Sequence, residues 1–162
     1  MDRLVTQLFN AWSLRVGVDG AALDYSGMAA FEIGQGIIVN FQAQLSPPVL
    51  TLFAVVASLP AGAPAGLLRD MLEANLLWGD TGGATLSLQQ DEDNGAFDVV
   101  VAQKMAVHKG TAVTELERMF DNICLVALDW KVKIEQDVRD AATPDPGSVA
   151  PGMPLGALLQ GY

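Results

Sequence analysis

Residues 2 to 16 place Val5, Leu8, Phe9, Trp12 and Val16 three and four positions apart, with Asp2 near the start, Arg15 near the end and Gly17 just beyond. That period predicts an amphipathic helix whose end charges complement its dipole and whose glycine stops it. The pattern then changes to strands over 29–33, 36–44 and 49–59, joined by Gly34-Gln35-Gly36 and Leu45-Ser46-Pro47-Pro48, both turn chemistries. In the second strand Ile37, Val39, Phe41 and Ala43 alternate with Ile38, Asn40, Gln42 and Gln44, giving one apolar face and one mostly polar face. The third strand is apolar on both faces.

Helical spacing returns over 66–78, where Leu68, Leu72 and Leu76 form one stripe and Leu67, Met71 and Trp78 another. Two stripes predict two neighbours, the sheet and a second subunit, with complete burial inside one monomer as the alternative. Residues 85–90 and 97–103 read as an antiparallel hairpin, because Asn94-Gly95 supplies the positive φ angles of a tight turn. A last helix is predicted over 114–138, with Thr114 and Glu117 as a capping box and Leu116, Phe120, Ile123, Ala127, Trp130 and Ile134 as its stripe. From Asp140 onward, four prolines and four glycines in 23 residues predict a flexible extension. The order is α-β-β-β-α-β-β-α, an α+β fold in which helices pack a twisted antiparallel sheet. The expected division is a folded domain over 1–139 and a tail over 140–162.

Composition narrows the class. A chain of 162 residues that is 51% hydrophobic and 17% charged suits one domain with a real core. Nineteen acidic against nine basic residues give a formal charge of −10, which repels nucleic acid and anionic membrane surfaces and favours a basic or amphipathic protein partner. No charge occurs from Ile33 to Leu68, yet Asn40, Gln42, Gln44 and four prolines break the run of about 20 apolar residues that a spanning helix needs. That stretch therefore reads as buried or partner-facing strands, and no membrane insertion is expected. Cys124 is the single cysteine, so no internal disulfide can form and a reducing bacterial cytoplasm is the expected compartment. The first residues lack the apolar stretch of an export signal.

Catalytic chemistry finds no foothold in the sequence. His108, the only histidine, has no nucleophile or carboxylate at motif spacing, and reads as a surface or capping residue. Cys124 lies near the apolar face of the last helix, where a thiol behaves as a small hydrophobe. Asp91 to Gly95 superficially resembles a calcium loop, but the positions that should be glycine and glutamate are Ala96 and Ala102. The Gly82-Gly83 pair lacks the Gly-Lys-Ser/Thr of a phosphate loop and precedes a strand instead of a helix. Neither an enzyme nor a metal or other cofactor is expected.

The run from Leu72 to Leu88, with Glu73-Ala74-Asn75 closing the helix and Thr81-Gly82-Gly83-Ala84-Thr85-Leu86 leading into a strand, resembles the central signature of the CesT/Tir-chaperone family of class I type III secretion chaperones. The element order from Asp2 to about Val138 matches that family's layout, while the proline-rich tail departs from it. The resemblance implies a homodimer, with Leu76, Trp78, Thr85 and Leu86 near its two-fold contact. It also implies that an effector's N-terminal segment is bound in extended form, with contacts expected at Leu4, Leu8, Phe31, Ile33, Val39, Phe41, Phe53 and Val55. Ordinary core packing is the alternative for each of them. The partners implied are type III effectors, a second copy and the secretion ATPase; a secretion-control or anti-activator protein with the same fold and a non-secreted partner is the alternative role.

Overall fold

A computed structural model describes residues 3–18, 20–59, 64–91 and 95–142. Asp2, Asn94 and the tail past Ala142 lie outside them. The elements are α1 (Arg3–Arg15), β1 (Met28–Gly34), β2 (Ile37–Leu45), β3 (Pro48–Leu59), α2 (Ala65–Asn75), β4 (Thr85–Gln90), β5 (Phe97–Ala106) and α3 (Val113–Ala142). The α+β expectation holds. All five strands pair antiparallel in the order β1-β2-β3-β5-β4, so β1 and β4 form the two edges.

The β1–β2 hairpin closes through Gln35 and Gly36, both at positive φ (51° and 72°), the conformation that matches the twist of paired strands. Inward alternation then sets the core: Ile37, Val39 and Phe41 of β2, Leu50, Leu52 and Ala54 of β3, and Val99 and Val101 of β5 are all buried. Onto this face pack α1, through Val5, Leu8, Phe9 and Trp12, and α3, through Leu116, Ile123, Ala127 and Ile134. Phe9, Trp12, Phe31, Phe41 and Phe120 form one aromatic cluster, with Trp12 4.8 Å from Phe41 and 5.0 Å from Phe120 between ring centroids. Such pairs add about 0.5–1.5 kcal/mol each beyond their area.

Three local details differ from the sequence-based expectation. α3 starts one residue early, so Glu115 takes the capping role and accepts from the Ala112 N–H at 2.9 Å. Glu117 is thereby free to pair with Arg15 Nε at 2.9 Å, tying α1 to α3. α3 also continues through Asp140 to Ala142, where no regular element was expected. Finally, α2 ends at Asn75 instead of running to Trp78; Leu76–Trp78 forms a single 3₁₀ turn in which Leu77 (φ 54°) and Trp78 (φ 52°) are left-handed.

Candidate partner-binding surfaces

The signature around α2 and β4 works first as joinery. Asn75 donates from Nδ2 to the Leu86 carbonyl (2.8 Å) and accepts the Leu86 N–H at Oδ1 (2.9 Å). Its side chain thus serves β4 as a neighbouring strand would, and fixes the last turn of α2 against the sheet edge. Trp78 Nε1 donates to Thr85 Oγ1 at 3.1 Å. Left-handed backbone at a non-glycine residue costs about 1–3 kcal/mol and persists only where the surroundings impose it; these bonds are the imposing contacts. The result turns the 3₁₀ segment outward.

The glycine loop is held from the other side. Thr81 is buried and donates its hydroxyl to the Ala84 carbonyl at 2.5 Å. Asn122 of α3 donates from Nδ2 to the Thr81 carbonyl (2.9 Å), the Gly82 carbonyl (3.3 Å) and Gln103 Oε1 (3.0 Å). Gly82 has φ 59°, and a Cβ there would run into the Asn122 amide, so this glycine is required twice over. The loop is anchored to α3 through Asn122.

This joinery leaves apolar surface uncovered. On α2, Leu67, Met71 and Ala74 face the core, while Leu72 and, in the following 3₁₀ turn, Leu76 and Leu77 are 70–84% exposed and Trp78 is 53% exposed. Leu68, Met71, Leu72, Asn75, Leu86, Ser87 and Leu88 line an apolar hollow of about 310 Å³ between α2 and the edge strand β4. A second apolar area occupies the outer sheet face, where Phe53 stands opposite Ala102 and Val55 opposite Val100, flanked by Asn40, Thr51 and Ser87. Val55 is 43% exposed. A third lies along the edge strand β1, where Phe31 and Ile33 are half-buried and Phe31 meets Phe9 and Trp12 of α1; Leu4 of α1 is half-buried too. Contiguous exposed apolar area on a small protein marks interaction sites.

The expected contact residues divide accordingly. Leu76, Trp78 and Thr85 point outward on the α2–β4 side, but the Leu86 side chain is buried beneath α2. Phe53 and Val55 lie on the outer sheet face, Phe31 and Ile33 on the edge strand β1, and Leu4 is half-buried on α1. Leu8, Val39 and Phe41 are corrected to core: they are 7%, 0% and 0% exposed, because inward alternation on β2 and the inner stripe of α1 spend them on packing. Asn122 and Gln103, which fix the glycine loop, carried no sequence signal beyond being polar in an otherwise apolar context.

The titratable groups act structurally. Burial, with Asp121 adding to it, pushes the Cys124 thiol up to about 11. Asp24 is held below the usual carboxylate range by the Ser26 hydroxyl and the Met28 N–H at the entry to β1. Lys133 is raised by its pairs with Asp70 (2.7 Å), which links α2 to α3, and with Asp137 (2.9 Å), one turn further along α3. His108 accepts from the Gly110 N–H at Nδ1 (3.1 Å) and shapes the turn before α3. Among the described residues no group of three or more His, Cys, Asp or Glu side chains could hold a metal ion, and no helix is long and apolar enough to cross a membrane.

Among the described residues the distinctive feature of this α+β body is uncovered apolar area, the kind of surface that marks interaction sites. The sequence over residues 7–107 matches the Tir chaperone protein (CesT) family, and this chain belongs to that family. No curated protein matches the sequence. Solved structures share the fold. A chain of the ExsC-ExsE complex is 22% identical, with a TM-score of 0.61 over 81% of this chain and 95% of that one. A chain of the HopA1-SchA chaperone-effector complex is 16% identical, with a TM-score of 0.60 over 77% and 91%. A Yersinia pestis structure, the type III secretion chaperone SycH with a fragment of YscM2, is 18% identical, with a TM-score of 0.58 over 80% and 98%.

Proposed function

We propose that this protein is a cytoplasmic, homodimeric type III secretion chaperone. It holds the N-terminal region of one or more effectors in an extended, export-competent state and presents them to the secretion ATPase. The observation that carries the reading is the set of three separate apolar areas left open by one folded chain, within a family of chaperones. Leu76 and Trp78 with the β4 edge at Thr85 supply the contact with a second copy, where Leu86 contributes only its strand. Phe53 and Val55 on the outer face, Phe31 and Ile33 on the open β1 edge, and Leu4 of α1 supply burial and strand pairing for an extended ligand. Leu8, Val39 and Phe41 support that surface from beneath. The body over 1–139 does this work.

Co-purification from the native host, followed by mass spectrometry, tests it. A secreted protein should be retained through its N-terminal segment, without ATP or metal, and lost from a Phe53→Asp/Val55→Asp variant. Retention of a non-secreted regulator instead would assign the secretion-control role. Retention of nothing by a monomeric chain would overturn the proposal.

A further inference from the structure

The sheet also has a short open edge at the end of β5. β4 begins at Thr85, opposite Ala102, so β5 runs on to Ala106 past its neighbour. On its other side this end stays paired with β3, Leu50 opposite Met105 and Val49 opposite Ala106, and the Val107 N–H bonds to the Pro48 carbonyl at 2.9 Å. Peptide groups along an antiparallel strand point alternately to its two sides. With Val107 turned towards β3, Met105 and Gln103 follow it. Lys104 and Ala106 therefore present their N–H and C=O groups to the side that β4 does not reach. The loop ahead of β4 bends away towards α3, where Asn122 holds the Thr81 and Gly82 carbonyls.

Beside this edge, between β5 and α3, lies a hollow of about 430 Å³, with Lys104 and Met105 on one wall and Glu115, Arg118 and Met119 on the other. Its charge runs against that of the protein. The chain as a whole carries −10, and Arg15, Arg69, Lys131 and Lys133 are each tied to a carboxylate. Lys104 and Arg118 are exposed, and among the described residues neither forms an ion pair. Glu115, the acidic side chain at the hollow, already accepts from the Ala112 N–H. An open strand edge offers backbone hydrogen bonds to an extended chain, and two uncommitted cations beside it favour a carboxylate. We propose that Lys104–Ala106 of β5 takes up a short extended segment of a partner protein, with an acidic side chain of that segment seated between Lys104 and Arg118. This rests on the reading of the protein as a binder of extended chains and adds a chemical requirement to it. The required residue is one that the net charge of this protein would otherwise repel.

NMR titration of the full-length protein tests this. The probes are a capped seven-residue peptide of alternating valine and glutamate, and the same peptide with glutamine in place of glutamate. The glutamate peptide should shift the backbone amides of 103–106 and 115–119. It should also bind about tenfold more tightly than the glutamine peptide, the combined effect of two exposed ion pairs. In Lys104→Gln/Arg118→Gln, which alters two exposed side chains and leaves the core intact, the two peptides should bind alike. The proposal is overturned by no shift at 103–106 up to millimolar peptide, by shifts confined to the β1 edge, by equal affinity of the two peptides for the parent, or by a glutamate preference that survives in the variant. None of these outcomes involves an effector. Capture of a secreted protein that is lost from Phe53→Asp/Val55→Asp, without any glutamate preference at β5, would leave the chaperone reading standing and remove this site alone.

Discussion

Leu67, Met71 and Ala74 on one side of α2 are buried in the core, whereas Leu68 on the other side is half-buried and Leu72 exposed. The residue types are alike and the helix is the same. What differs is the neighbour: the first side packs into the core cluster, and the second, among the described residues, borders Leu86 and Leu88 of the β4 edge. Apolar periodicity therefore reports that a face will be covered without saying by which chain. The same contrast runs through β3, where Leu50, Leu52 and Ala54 are spent inside and Phe53 and Val55 look outward.

Substitutions on the two sides should separate sharply. Leu67→Ala removes a side chain that is 1% exposed and should lower unfolding stability by about 2–5 kcal/mol in urea titration. On α3 the comparison is between Cys124, half-buried, and its exposed neighbour Leu125. With the thiol pushed up to about 11, alkylation of Cys124 at pH 8 should be on the order of a hundredfold slower than of an ordinary cysteine, and should accelerate as pH rises toward 11. Asn75→Ala should cost about 1–3 kcal/mol by leaving both Leu86 backbone groups without their partner. That variant should also loosen Leu76–Trp78, seen as a change in Trp78 fluorescence. Gly82→Ala should cost about 1–2 kcal/mol through its left-handed backbone and the Asn122 contact. Leu76→Asp, at an exposed position, should change monomer stability by less than about 0.5 kcal/mol while weakening self-association.

Much of this fold was legible in the sequence because hydrophobic alternation and helical spacing are local signals: the two terminal helices, the five strands and the two-striped α2 follow from them. The stop of α2 at Asn75 was not. Leu76 and Leu77 are good helix formers, and only the bonds from Asn75 to Leu86, eleven residues away, override that propensity. Glu115 displaced Glu117 as the capping residue because helix boundaries shift by a residue at little cost. Val39 and Phe41 were expected at a binding surface because their stretch is free of charge, yet the alternation already placed them on the apolar face, which the core claimed. Of the surface residues, Leu76 and Trp78 were legible through the family signature, whereas the Asn122–Gln103 clamp depends on contacts 19 to 41 residues apart.

Light scattering of the full-length protein and of Leu76→Asp/Trp78→Asp across micromolar concentrations tests most directly whether the uncovered side of α2 belongs to another copy. The account predicts a mass near twice the 17.1 kDa of the chain for the parent, falling to 17.1 kDa for the folded variant. A parent that remains at 17.1 kDa at every concentration, or a variant that keeps the doubled mass, would contradict it.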